Sequence, residues 1–244
     1  MNEVRSGHGR EAAHDAQAPT LLALETSTAA CSVALSFRGR VYEDHRIVPR
    51  EHNRLILPMI DALLRAHGVE RRALDAIAFG RGPGSFTGVR IAAGVAQGIS
   101  LGIGIPVVPV SSLAALAQTA IAARPDVDCV LATIRSRPDE IYYAVFHRDG
   151  ALSVLNGEES IATSLDRNLP VGVDAACWAV GDGVLHYGDW LAGLGCPVDA
   201  TLLPTARGVL QLALSAFADG DFVDSADALP VYLQGTRPWR KLAE

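Results

Sequence analysis

The spacing of apolar residues changes period several times along this 244-residue chain. Leu21 to Leu24 is an apolar run that ends at Glu25 and the turn-prone Thr26, Ser27 and Thr28. Cys31 to Phe37 alternates as a strand does, Arg38-Gly39-Arg40 reads as a hairpin turn, and Val41 to Val48 returns as a third strand. From Glu51 to His67 the period becomes helical. Leu55, Ile56, Met59, Ile60, Leu63 and Leu64 share one face, and Gly68 is a suitable stop. A short buried strand is predicted over 74–79, a glycine-rich turn over 80–88 and a helix over 89–102. Residues 106–110 read as a strand, and Ser111 or Ser112 can cap a helix running to Ala123. Further strands are predicted at 129–134, 141–146 and 151–155, the last two flanking the hairpin signal His147-Arg148-Asp149-Gly150.

Three hairpin-linked strands followed by strand–helix alternation imply a mixed sheet with helices on its faces, an α/β fold. This is the ribonuclease-H-like arrangement found in each half of actin-like ATPases. Signals weaken after residue 155: a helical patch at 209–217 and glycine-rich turns at 181–183 and 193–195 suggest a smaller second lobe. The expected division is an N-terminal lobe over 19–110 and a C-terminal lobe over 111–244. Residues 1–18 are polar and Ala-rich without an apolar centre, so they read as a disordered extension rather than a secretory signal. Apolar runs are short, none approaching the roughly 20 residues that cross a bilayer, which points to a cytoplasmic protein with no membrane partner.

Composition narrows the picture further. The net charge of −6 argues against free-standing nucleic-acid binding, because phosphate neutralisation needs Lys and Arg clusters. The cysteines at 31, 129, 177 and 196 are far apart, with no C-x-x-C pair, and are expected as reduced, mostly buried thiols. The histidines show no i, i+4 pair for a metal, and Ser85 lacks the G-x-S-x-G elbow of a serine nucleophile. No metal site is expected. His52, at a helix start, is expected at the surface or as a cap.

The turn GRGPGSFTGVR at 80–90 joins a strand to a helix. Such a turn presents backbone N–H groups where the helix dipole favours anions, with Gly82, Pro83, Gly84 and Gly88 shaping it and Ser85 or Thr87 able to cap. It is neither a P-loop nor a dinucleotide fingerprint, and the residues read as a structural tight turn ahead of a phosphate site. In the following helix Gly94, Gly98 and Gly102 recur every fourth residue. Each interior glycine costs about 0.5–1 kcal/mol relative to alanine, so close packing against something must compensate. That something is either the protein's own sheet or another subunit.

GRGPGSFTGVRIAAGVAQGISLG at 80–102 resembles, almost letter for letter, the signature of the TsaB (YeaZ) family, bacterial subunits needed to make threonylcarbamoyladenosine in tRNA. LLALETSTAACSVAL at 21–35, REHNRLILPMID at 50–61, VVPVSSLAALA at 107–117, DEIYYAVF at 139–146 and PVYLQGTRPWRKL at 230–242 extend the likeness. The resemblance implies two ribonuclease-H-like lobes of the actin-like fold, the second reduced. It also implies a non-catalytic scaffold that binds and activates the catalytic paralogue TsaD and helps recruit the ATPase TsaE. Such a subunit pairs with itself when alone and meets tRNA only through the complex. The contact surface would be formed by helices 51–67 and 89–102, with Leu55, Met59, Leu63, Arg90, Gly94, Gly98 and Gly102.

By the same resemblance, Glu25, Thr26 and Ser27 together with Gly82, Pro83, Gly84, Ser85 and Gly88 are vestigial nucleotide-binding loops. No cofactor is expected, ATP or ADP being reached only at an assembled interface. The paralogue's His-x-x-x-His metal pair has no counterpart in SSLAALAQTA at 111–120. Where family members often read Asp-Ala-Arg, this chain has Arg135-Ser136-Arg137, which removes a second carboxylate to cooperate with Glu25. The rival readings are an independent actin-like ATPase or kinase, and a peptidase of the glycoprotease type.

Overall fold

The computed structural model describes residues 18–137, 140–163, 172–187, 191, 193 and 195–233. Residues 1–17, and the closing segment from 234 onward, lie outside the described residues.

β1 (Leu21–Glu25), β2 (Ala30–Phe37) and β3 (Arg40–Ile47) form an antiparallel meander, as expected. α1 (His52–Ala66) leads to β4 (Ala76–Gly80), then α2 (Phe86–Ile103), β5 (Val107–Val110) and α3 (Ser112–Ala123). β4 adds parallel to β1, and β5 parallel to β4, giving a sheet of order β3-β2-β1-β4-β5. β1 is an unbroken apolar run because both of its faces are covered. Leu22 and Leu24 join a core beneath α1 and α2, while Leu21 and Ala23 face a second cluster on the other side.

The second sheet has order β10-β9-β6-β7-β8, built from β6 (Cys129–Arg137), β7 (Glu140–Asp149), β8 (Leu152–Thr163), β9 (Cys177–Val180) and β10 (Val198–Asp199). It repeats the antiparallel meander and parallel additions of the first, although β10 has only two residues. α3 covers it through Leu113, Leu116, Ala120 and Ile121. The result is the two-lobed actin-like architecture.

Four features differ from the sequence reading. Helix α4 (Ala206–Ala218) comes from the C-terminal half, yet Ala206, Val209, Leu210 and Ala213 pack beneath the first sheet against Leu21, Ala23, Ala78 and Val108. A boundary after residue 110 therefore separates strands that belong together from the helix that covers them. α2 starts earlier than predicted because Ser85, not a later residue, supplies the cap, its side chain accepting from Gly88 N. By length and composition α2 is apolar enough to cross a membrane. That apolarity is spent in part on the core, where Val89, Ala92, Ala93 and Ala96 are buried. Finally, Cys129 and Cys177 are directly opposed on β6 and β9, Cα atoms 4.5 Å apart, and form a disulfide; only Cys31 and Cys196 are free. Neighbouring parallel strands brought together two thiols that stand 48 residues apart in sequence.

Candidate functional site

The turn after β1 and the glycine-rich loop after β4 interlock. Ser85 N donates to Ser27 O at 2.7 Å, and Thr26 Oγ1 donates to Gly88 O at 2.8 Å. The approach is so close that a Cβ on Gly88 would lie 2.0 Å from Thr26 O, and one on Gly84 would lie 2.6 Å from Ser27 O. Glycine is required at both places because the other loop's backbone fills the space. Gly82 and Pro83 are buried, and Gly82 O accepts from Ser112 N.

Glu25 lies beneath this junction, fully buried. One carboxyl oxygen accepts from Ser27 N at 2.6 Å and the other from Ser112 Oγ at 2.9 Å. Burial raises its pKa above the ordinary carboxylate value, opposed in part by those hydrogen bonds. The side chain therefore ties the β1 turn to the start of α3, and it lies against Gly80 of β4, where a Cβ would come 2.0 Å from Glu25 Oε2. It is not held out toward solvent, as a residue that positions a metal-bound water would be. Among the described residues Ser27 Oγ, buried in the same junction, has no hydrogen-bond partner. Among the described residues no group of three or more His, Cys, Asp or Glu side chains gathers as a metal site.

The glycine stripe faces the opposite way from the core. Gly94, Gly98 and Gly102 are exposed, and a Cβ on any of them would meet nothing within 4 Å. They do not pack on the protein's own sheet. With Leu57, Ile99 and Ile103 they line an open groove of about 540 Å³ between α1 and α2, with Asp61 and Arg71 paired at its edge. Leu57 is 52% exposed there and Leu101, on the adjoining surface, 77%.

Two residues expected on that surface are elsewhere. Met59 (1% exposed) and Leu63 (8%) point into the core, because the apolar face of α1 is the face that covers the sheet. Leu55 is partly buried against the same cluster. The side chains actually turned outward from α1 include Leu57, which breaks the helical apolar pattern. Arg90 is exposed, its guanidinium carbon 3.2 Å from the centroid of the Phe86 ring. His52 is buried rather than superficial, with Nε2 3.0 Å from Ala30 O, so it fixes the start of α1 to β2.

The basic substitution at 135 also has a structural setting. Arg135 N donates to Asp182 Oδ1 at 2.8 Å, so the Gly181-Asp182-Gly183 turn anchors the end of β6. On sequence alone that turn carried no assigned role, since the partners are 47 residues apart.

Comparison with known proteins follows the same lines. The tRNA threonylcarbamoyladenosine biosynthesis protein TsaB of Escherichia coli (strain K12) is 38% identical over 227 residues, spanning 91% of this chain and 97% of that protein. The corresponding TsaB protein of Haemophilus influenzae is 36% identical over 238 residues, with the same coverage. The chain belongs to the TsaB (YeaZ) family. The solved structure of YeaZ from Pseudomonas aeruginosa superposes with a TM-score of 0.80 at 43% identity, covering 88% of this chain and all of that one. Residues 44–167 also match the protein-family model described as TsaD: tRNA N6-adenosine threonylcarbamoyltransferase. That stretch includes the glycine-rich loop and both groove helices, so TsaB and TsaD share the part of the fold that carries them.

Proposed function

We propose that this TsaB-family chain is a scaffold subunit, acting in tRNA threonylcarbamoyladenosine biosynthesis by offering the α1–α2 groove to TsaD. The observation that carries this reading is the exposed glycine stripe. Three helix-interior glycines together forgo roughly 1.5–3 kcal/mol of helix stability, and no described residue makes use of the space they leave. A second helix laid along Gly94, Gly98 and Gly102 would approach α2 backbone to backbone, bury Leu57, Ile99 and Ile103, and recover that cost. TsaD fits as occupant because the matched segment indicates that it carries an equivalent helix pair, so like can pack on like. Without TsaD, a second copy of this chain takes the same seat.

The interlocked loops support a non-catalytic role. Glu25 accepts from Ser27 N and Ser112 Oγ, Ser85 N donates to Ser27 O, and Ser85 Oγ accepts from Gly88 N, so these groups are engaged within the protein. On this reading ATP or ADP, TsaE and tRNA are engaged only by the assembled complex. Gly98→Leu fills the groove from an open position and should leave the far-ultraviolet circular dichroism unchanged. It should weaken capture of TsaD by more than about 100-fold, since removing close packing over a hot-spot patch costs several kcal/mol. Undiminished capture would remove the groove as the contact surface. ATP hydrolysis by the isolated chain, lost in Glu25→Gln, would favour an autonomous ATPase instead.

A further inference from the structure

A cavity of about 390 Å³ lies well away from the α1–α2 groove, sharing no residue with it. Arg81, from the loop after β4, lines one wall; Ser111, at the start of α3, and Glu158 and Glu159, on β8, line others, with Phe146 and Leu155 supplying apolar surface. The volume falls in the range of small-molecule sites, roughly 300–1,000 Å³.

Arg81 and Glu159 feel each other's charge, but among the described residues no hydrogen bond or ion pair joins them. Among the described residues Arg81 Nε is buried with no hydrogen-bond acceptor and the Arg81 side chain has no ion pair. Glu159 turns its carboxyl to Ser111 Oγ instead. A buried guanidinium N–H without an acceptor costs about 1–3 kcal/mol or more, so a fold that keeps one beside an open cavity leaves an acceptor to be supplied. A simple anion would satisfy Arg81 but sit against the two glutamates, and a simple cation would do the reverse. A molecule with both charges satisfies the two walls together.

We propose that this cavity binds a small zwitterion of the α-amino-acid class, its carboxylate on Arg81 and its ammonium on Glu158 and Glu159. Burial holds the Glu159 pKa up, while the Ser111 hydrogen bond and the nearby Arg81 charge oppose this. An arriving ammonium adds to the opposing side and favours the carboxylate. Ser111 Oγ, which also caps α3 by accepting from Ala114 N, holds Glu159 in place for it.

The test is isothermal titration calorimetry of the full chain with a panel of L-amino acids, each alone, and with acetate and methylammonium as single-charge probes. At least one amino acid should bind with a Kd below about 1 mM, with both single-charge probes at least about tenfold weaker. Arg81→Met should weaken that binding by about 10- to 100-fold. Leu155→Trp, which fills the cavity from its exposed wall, should do the same and decides the matter if Arg81→Met does not fold. Gly98→Leu should bind like the unaltered chain, which separates this site from the groove. Absence of heat for the whole panel at about 10 mM, acetate binding as well as the amino acids, or unaltered affinity in Leu155→Trp would each overturn the assignment.

Discussion

Glycine has opposite meanings at two places in this chain, and substitution by alanine separates them. At Gly88 a Cβ would collide with Thr26 O, backbone against backbone, and neither loop can move without breaking the Thr26–Gly88 hydrogen bond. Gly88→Ala should destabilise by roughly 1–3 kcal/mol or more. At Gly98 the space is open, so Gly98→Ala should stabilise the isolated chain by about 0.5–1 kcal/mol through helix propensity alone. Urea midpoints of the two variants should therefore move in opposite directions. Glu25 supplies a further test. Burial raises its folded-state pKa above the unfolded one, so its contribution to stability is fully present below the unfolded carboxylate range and is lost as pH rises through the folded value. Glu25→Gln has no proton to lose. Its stability deficit against the unaltered chain should be largest below pH 4.5, the ordinary value, and shrink as pH rises toward neutral. A deficit that stays constant over that interval would show that Glu25 does not titrate there. The motif residues were legible in the sequence, but their partners were not. Nothing local announces that Glu25 meets Ser112, 87 residues on, or that Arg81 faces Glu159.

Among the elements, the strongly periodic ones were legible: β1 to β5 and α1 to α3 follow from alternation, helical spacing and caps. β9 and β10 were not, since the four apolar residues of Cys177–Val180 and the lone pair Val198–Asp199 give no period to read. The groove was only half legible. Helical spacing identified the glycine stripe, but the reading by resemblance put the core-facing side of α1 on the surface, and one apolar stripe cannot serve both core and partner. The cysteine pair was missed for a related reason: pairing of β6 with β9 sets it, and no spacing rule encodes that pairing. In the chain-entropy account a cross-link closing 48 residues is worth about 4 kcal/mol. Cys177→Ser should lower stability by up to that amount, and thiol titration of the unfolded, unreduced chain should report Cys31 and Cys196 alone. Reaction at all the cysteines would show that the pair is not cross-linked. Burial raises the Cys31 pKa to about 11, so in the folded state it should react slowly even at mildly alkaline pH.

The whole molecule is closed by its C-terminal part. α4 covers the face of the first sheet opposite α1 and α2, and its first turn is tied to that sheet, with Ala206 N donating to Ser32 Oγ at 2.9 Å and Arg207 N to Glu43 at 2.9 Å. Gly208 lets it cross α3 closely, where a Cβ would come 2.4 Å from Ala115 O. α3 in turn presents Ala115 to this cluster and Leu116 to the second sheet. The first lobe thus borrows a helix from the C-terminal half, α3 serves both cores, and the two cores meet along the α3–α4 crossing. Removing α4 would expose Leu21, Ala23, Ala34, Ala76, Ala78 and Val108 together, an apolar sheet face that α3 meets through Ala115. Residues 18–110 expressed alone should therefore not form a cooperatively folded lobe: near-ultraviolet circular dichroism should be weak and thermal unfolding broad. Supplying residues 111–244 on a separate chain should restore a single sharp transition, because α4 can reach the sheet from there. Leu210→Asp in the full chain, which places a charge in that interface, should collapse both lobes in one transition rather than loosen the C-terminal one. A 18–110 fragment that melts sharply by itself would show that the first lobe stands without α4, and that the chain is two independent units rather than one interleaved fold.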